Sequence, residues 1–213
     1  MTPMRLCHLI AVTILAGCRV EGAGSDSVRG EPAVASQADS ATLPPQNVDT
    51  LRGVALDSSA APTATPAELN ELRAHLIIPV AGVRPADLSD NFAAARAGHA
   101  HEALDIPAPL GTAVVSAVDG RLLKLHSSAA GGLMIYTADS SDKFILMYAH
   151  LDRYAGGLTV GEVLRTGQLL GYVGTTGNAP RGTPHLHFAV ARGVPSRQWW
   201  KGVPVNPYPL LVP

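Results

Sequence analysis

The sequence predicts an all-β domain, mainly antiparallel and preceded by one short helix, and three observations carry that prediction. Apolar runs of strand length recur at residues 112–118, 121–125, 133–137, 144–148, 169–173 and 186–191. Turn formers separate them, at Asp119-Gly120, at Gly131-Gly132 and across 139–142. No amphipathic helical pattern of more than ten residues follows residue 96. Short, regularly spaced strands with turn punctuation belong to a barrel or sandwich.

In chain order, the first segment reads as an address. Residues 1–17 carry a basic start ending at Arg5 and an apolar run over 6–16. That run is shorter than the ~20 residues of a membrane span, and its order fits a secretion signal. It closes on Leu15-Ala16-Gly17-Cys18, which resembles the lipobox of bacterial lipoproteins. The resemblance implies cleavage before Cys18 and lipidation of its thiol and amine. The domain would then be anchored to a bacterial membrane on the extracytoplasmic side. Arg19, rather than Asp, follows the cysteine and favours the outer membrane where a cell has two.

Residues 18–65 are rich in Ala, Ser, Pro, Gly and Asp, and past the cysteine hold no aromatic residue and no Lys. Such a stretch cannot bury enough apolar surface to offset its chain entropy, so it reads as a disordered tether. Its r.m.s. reach would be about 35–40 Å. The folded domain is expected over 66–213. It opens with Thr65-Pro66-Ala67-Glu68, a helix start that runs to about His75, followed by a strand over 77–80. All ten aromatic residues lie from Phe92 onward, which places the large core there.

Sixteen basic residues against seventeen acidic ones leave a net charge of −1, and no basic block occurs. That balance excludes the basic stripe of a nucleic-acid binder. Two cysteines cannot build a disulfide framework or a four-cysteine zinc site. Eight histidines remain to be placed. His8 falls in the signal, His75 in the helix and His126 at a strand end.

The other five fall into three groups: His99-Ala100-His101 with Asp105, then His150, then His185-Leu186-His187. Neutral imidazole is a common zinc ligand, and a carboxylate often completes the set. Residues two apart on a strand share a face, so His185 and His187 can serve one site. Four residues of straight strand span about 13 Å, too far for His101 and Asp105 to share an ion. Glu102 makes the segment look like the helical H-E-x-x-H signature with its last His replaced, but Pro107 and Pro109 would stop that helix at once. A bend around Ala103 is the better solution. His150 follows Met147-Tyr148-Ala149 at the expected end of a strand, within reach of a groove.

His101-Glu102-Ala103-Leu104-Asp105, Tyr148-Ala149-His150-Leu151, Gly174-Thr175-Thr176-Gly177-Asn178 and Pro184-His185-Leu186-His187-Phe188 resemble, in order, the motifs of lysostaphin/LytM-type zinc endopeptidases. The resemblance covers residues 77–210. It implies the LytM-like barrel-sandwich of the duplicated hybrid motif. It also implies one Zn²⁺ held by His101, Asp105 and His187, with His150 and His185 as the flanking catalytic pair. Residues 174–177 and 178–183 would form loops on the groove wall. The implied activity is hydrolysis of peptide bonds in peptidoglycan stem peptides or cross-links. The alternatives are a non-catalytic regulator or scaffold of a cell-wall amidase, or a peptidoglycan-binding module. All five site positions are filled, which favours the enzyme. One departure stands out: Ala103 occupies a position where the family usually has Gly, so the bend either uses ordinary backbone angles or stores strain. His99 and Glu102 read as surface residues.

Overall fold

The computed structural model describes residues 62–213 apart from Ala97. The expected signal, Cys18 and nearly all of the tether lie outside the described residues. The elements in chain order are helix α1 (Pro66–His75), a 3₁₀ turn (Pro85–Asp87) and strands β1 (Ala95–Arg96), β2 (His99–Ala100), β3 (Leu104–Pro107) and β4 (Ala113–Val115). They continue as β5 (Gly120–Ser128), β6 (Gly132–Asp139), β7 (Phe144–Tyr154), β8 (Val163–Leu164), β9 (Leu169–Val173), β10 (His185–Gly193), β11 (Gly202–Val205) and helix α2 (Tyr208–Leu211).

Helix α1 starts as its sequence requires. The Thr65 hydroxyl accepts from the Glu68 N–H, and the Glu68 carboxylate accepts from the Thr65 N–H, which is a reciprocal capping box. Leu72 and Leu76 face the core. One turn before Leu72, Glu68 takes the Arg192 guanidinium at 3.0 Å, tying the helix to the end of β10. That bond, with the Thr65 N–H, holds the Glu68 carboxyl down at about 2.

Nine strands form one antiparallel sheet in the order β11-β10-β7-β6-β5-β8, with β3 also on β10 and β9 joining β7 to β4. Strict alternation then sorts the side chains. Leu146 and Tyr148 of β7, with Leu186, Phe188 and Val190 of β10, enter the main core. Ile145 and Ala149 of β7, with Met134 and Tyr136 of β6, form a second apolar layer on the other face. Asp139 makes the β6–β7 turn tight, its carboxylate accepting from the backbone N–H groups of Ser141, Lys143 and Phe144.

The predicted strands are present with different bounds. The expected strand over 77–80 reduces to one bridge, Val80 to Val114, because Pro79 has no N–H to offer. The run at 144–148 continues to Tyr154, changing partner on the way from β10 to β9. Strands β1, β2, β3, β8 and β11, each of two to four residues, lie outside the predicted apolar runs.

Candidate metal centre and active site

Three strands and a bend bring the predicted ligands together. Leu186 and Phe188 point into the core, so the alternation of β10 turns His185 and His187 to the opposite face. Strand β3 pairs with β10 so that Asp105 lies directly across from His187. The chain then reverses at Glu102, which takes φ +56°, and swings His101 back over Asp105. The bend is thus next to Ala103 and not on it. Ala103 is fully buried and outside the positive-φ set, while the exposed Glu102 absorbs the left-handed geometry.

His101 Nε2, Asp105 Oδ1 and His187 Nδ1 stand 3.0 Å from one another on all three edges. Tetrahedral zinc with bonds of ~2.0–2.2 Å sets ligand atoms about 3.3–3.5 Å apart, so a shift of a few tenths of an ångström accommodates the ion. The donor chemistry fits as well. The Nδ1–H of His101 donates to the Asn91 carbonyl at 3.0 Å, so in the neutral ring Nε2 carries a lone pair. Burial alone would raise the pKa of Asp105, but the imidazoles of His101 and His187 reverse this and hold the carboxyl well below its usual range. Burial lowers His187 in turn, with Asp105 opposing. The His101 Nε2 lone pair and the Asp105 carboxylate converge with His187 Nδ1 at 3.0 Å, a donor set that suits a shared cation.

His150 reaches the site through a bulge. Along β7, residues 145, 147 and 149 face the second layer and 146 and 148 the core; unbroken alternation would send His150 inward. Instead the register with β6 shifts between Leu133 and Ile135, and His150 adopts φ +60°. The extra residue lets Ala149 and His150 both face the site, with Leu151 returning to the core. The His150 Nδ1–H donates to the Thr176 carbonyl at 2.9 Å. His185 is held alike, Nδ1–H to the Thr183 carbonyl at 2.8 Å, with Nε2 3.7 Å from Asp105 Oδ1. A carbonyl can only accept, so in the neutral form each ring carries its lone pair on Nε2. Burial, reinforced by His187, lowers His150 to about 4, which leaves it neutral at pH 7. The rings of His150 and His185 lie 5.1 Å apart, and those of His150 and His187 5.6 Å.

All five expected site residues therefore meet, and His99 is exposed on β2, paired with Arg96. Residues 175–183 do form a loop, whose backbone carbonyls orient both flanking histidines. A Cβ at Gly177 would overlap the Ala130 carbonyl, so this loop rests directly on the β5–β6 turn. Two further residues escaped the sequence reading. Asn91 accepts from His101 through its carbonyl and from the Asp105 N–H through Oδ1 at 3.1 Å. Arg96 Nη2 donates to Asp105 Oδ2 at 2.6 Å. Neither belongs to a local motif.

Comparison with known proteins agrees with this geometry. The family model described as Peptidase family M23 matches residues 99–207. An L-Ala–D-Glu endopeptidase of Bacillus subtilis (strain 168) is 32% identical over 116 residues, which is 52% of this chain and 34% of that protein. Peptidoglycan DD-endopeptidase ShyC of Vibrio cholerae is 35% identical over 89 residues, 42% of this chain and 19% of that one. The crystal structure of Helicobacter pylori Csd3 superposes with a TM-score of 0.50 at 29% identity, covering 65% of this chain and 33% of the other. The chain spans about a third or less of the length of each of these relatives.

Proposed function

The chain belongs to peptidase family M23, and from that premise we propose that it is a zinc-dependent endopeptidase hydrolysing peptide bonds in peptidoglycan. The observation that carries this reading is the equal-sided triangle of His101 Nε2, Asp105 Oδ1 and His187 Nδ1, flanked by two histidines whose Nδ1–H groups are each held by a loop carbonyl. Three protein ligands leave a fourth position open, as catalytic zinc requires. Bound there, zinc would supply Lewis-acid polarisation of the scissile carbonyl and acidify a coordinated water.

The chain's own residues complete the chemistry. His150 and His185 are the proton acceptors beside the open position, each fixed in tautomer by a loop carbonyl. Once protonated, either ring can donate to the charge that develops on the carbonyl oxygen or to the departing amine. Asn91 keeps His101 in the tautomer that binds through Nε2.

The endopeptidase names of the relatives support stem peptides or their cross-links as substrate. The Leu15-Ala16-Gly17-Cys18 motif supports a lipid anchor at Cys18 on the extracytoplasmic face of a membrane. The test is to incubate the full-length chain with purified peptidoglycan, with and without a zinc chelator, and resolve the fragments. Chelator-sensitive release of peptide-cleaved muropeptides is expected. Stoichiometric zinc without cleavage would overturn the reading in favour of the non-catalytic regulator. Cys18→Ala should move the processed protein from the membrane fraction to the soluble one.

A further inference from the structure

Asp105 has two carboxylate oxygens, and the triangle of candidate ligands uses one of them. Oδ1 faces the imidazoles, with His101 Nε2 and His187 Nδ1 at 3.0 Å and His185 Nε2 at 3.7 Å. Oδ2 accepts instead from Arg96 Nη2 at 2.6 Å. A bond between guanidinium and carboxylate is charge-assisted and roughly twice as strong as a neutral one. The hydrolytic chemistry described above makes no use of it.

The chain brings Arg96 to Asp105 by the same turn that brings a ligand. Strand β1 pairs with β2 so that Arg96 lies opposite His99 and Ala95 opposite Ala100. Two further backbone bonds continue that ladder, from the His101 N–H to the Ala94 carbonyl at 2.9 Å and from the Glu102 N–H to the Phe92 carbonyl at 2.8 Å. One hairpin thus carries both His101 and the arginine that engages Asp105. Its four strand residues are exposed and join neither core cluster, so Arg96 has no packing duty there. Its side chain is 46% exposed, yet its tip is committed to a carboxylate that is 17% exposed.

What is at stake is the number of oxygens Asp105 offers. Both sit on one carbon, so rotation about the Cβ–Cγ bond can present either or both to an ion. A catalytic site keeps three protein ligand atoms and one open position. A second carboxylate oxygen would fill that position and exclude water from it. With Oδ2 engaged by Arg96, Oδ1 alone is left to the triangle. Asn91 anchors the Asp105 backbone N–H, which does not fix the turn of the carboxylate. Arginine suits the task because it stays charged and has no lone pair with which to ligate a cation itself. We propose that Arg96 is a positioning residue that holds Asp105 to ligation through one oxygen and so keeps the fourth position open. This rests on the zinc endopeptidase reading above and adds to it a residue outside the ligand set and the flanking pair.

The test loads the full-length chain with Co²⁺ in place of Zn²⁺, because the visible absorption of cobalt is strong in four-coordinate sites and weakens as the coordination number rises. The wild-type chain is expected to give the strong spectrum, and Arg96→Ala a weakened one. In the zinc form, Arg96→Ala should lower metal affinity about 10–100-fold in competition with a chelator and cut kcat about tenfold, with KM within about twofold. Arg96→Lys keeps the charge and should recover most of the cobalt absorption, whereas Arg96→Gln should not. These two variants carry the test should Arg96→Ala fail to fold. A cobalt spectrum in Arg96→Ala identical to wild type would overturn the clamp. So would tighter zinc binding, which would make Arg96 a plug, or a rise in KM alone, which would make it a substrate contact. A wild-type chain that gives the four-coordinate spectrum and cuts no peptidoglycan would overturn the endopeptidase reading, while the spectral loss in Arg96→Ala would still uphold the clamp.

Discussion

The two faces of the β7–β10 ladder are made from alternate residues of the same strands, yet they do different work. Inward, Leu146, Tyr148, Leu186 and Phe188 are fully buried and join a core that extends to both helices. Outward, His185 and His187 stand beside the small Ala149 at the end of the second apolar layer. The inner face holds the fold and leaves the outer face free to collect imidazoles. The period of two in a strand is what separates them. Changes on one face should therefore cost stability and changes on the other should cost chemistry.

The largest effect that would test this division is His187→Ala, expected to abolish both stoichiometric zinc and peptide cleavage while the unfolding midpoint of the metal-free protein stays close to wild type. Metal analysis, fragment release and thermal melts would show it. His150→Ala should lower kcat by about 10²–10⁴ and keep zinc; loss of the metal would move His150 into the ligand set. Phe188→Ala, one residue along from His187 but facing inward against Tyr148 at 5.3 Å, should cost about 3–5 kcal/mol in denaturant unfolding. Zinc stoichiometry in its folded fraction should be unchanged.

Asn91→Ala sits between the two outcomes. Removing the acceptor of the Asp105 N–H should weaken zinc about 10–100-fold in competition with a chelator and shift the melt little. The smallest effect lies farthest from the site, at Glu68. Its carboxyl is held at about 2 against an ordinary 4.5, by the Arg192 hydrogen bond first. The stabilisation is therefore complete above about pH 4.5 and lost as the pH falls toward 2. Glu68→Gln should lower the melting temperature at pH 6 and narrow its gap to wild type between pH 4.5 and 2.

Much of this was legible in the residues because the controlling geometry is local. The His185–His187 pair follows from alternation alone. The distance arithmetic between His101 and Asp105 demanded a bend, and only its seat, Glu102 in place of Ala103, was displaced by one residue. His150 was placed at a strand end because its bulge depends on pairing with β6 and β9, which no local pattern encodes. The carbonyls of Asn91, Thr176 and Thr183 were invisible for a different reason. Every residue owns a carbonyl, and only the tertiary path selects these three as anchors. The shortest strands, β1, β2 and β8 at two residues each, are too brief to show any period.

The left-handed backbone at His150 couples two inheritances in one position. The residue that shifts the phase of β7, so that one strand can serve β10 before it and β9 after it, is also the residue whose ring faces the candidate metal centre. Glycine there would preserve the curvature and discard the imidazole; alanine would discard the imidazole and strain the curvature. A lineage that gave up hydrolysis but kept the architecture would thus be expected to drift toward glycine or asparagine at this point. The position separates a retired peptidase from a damaged one.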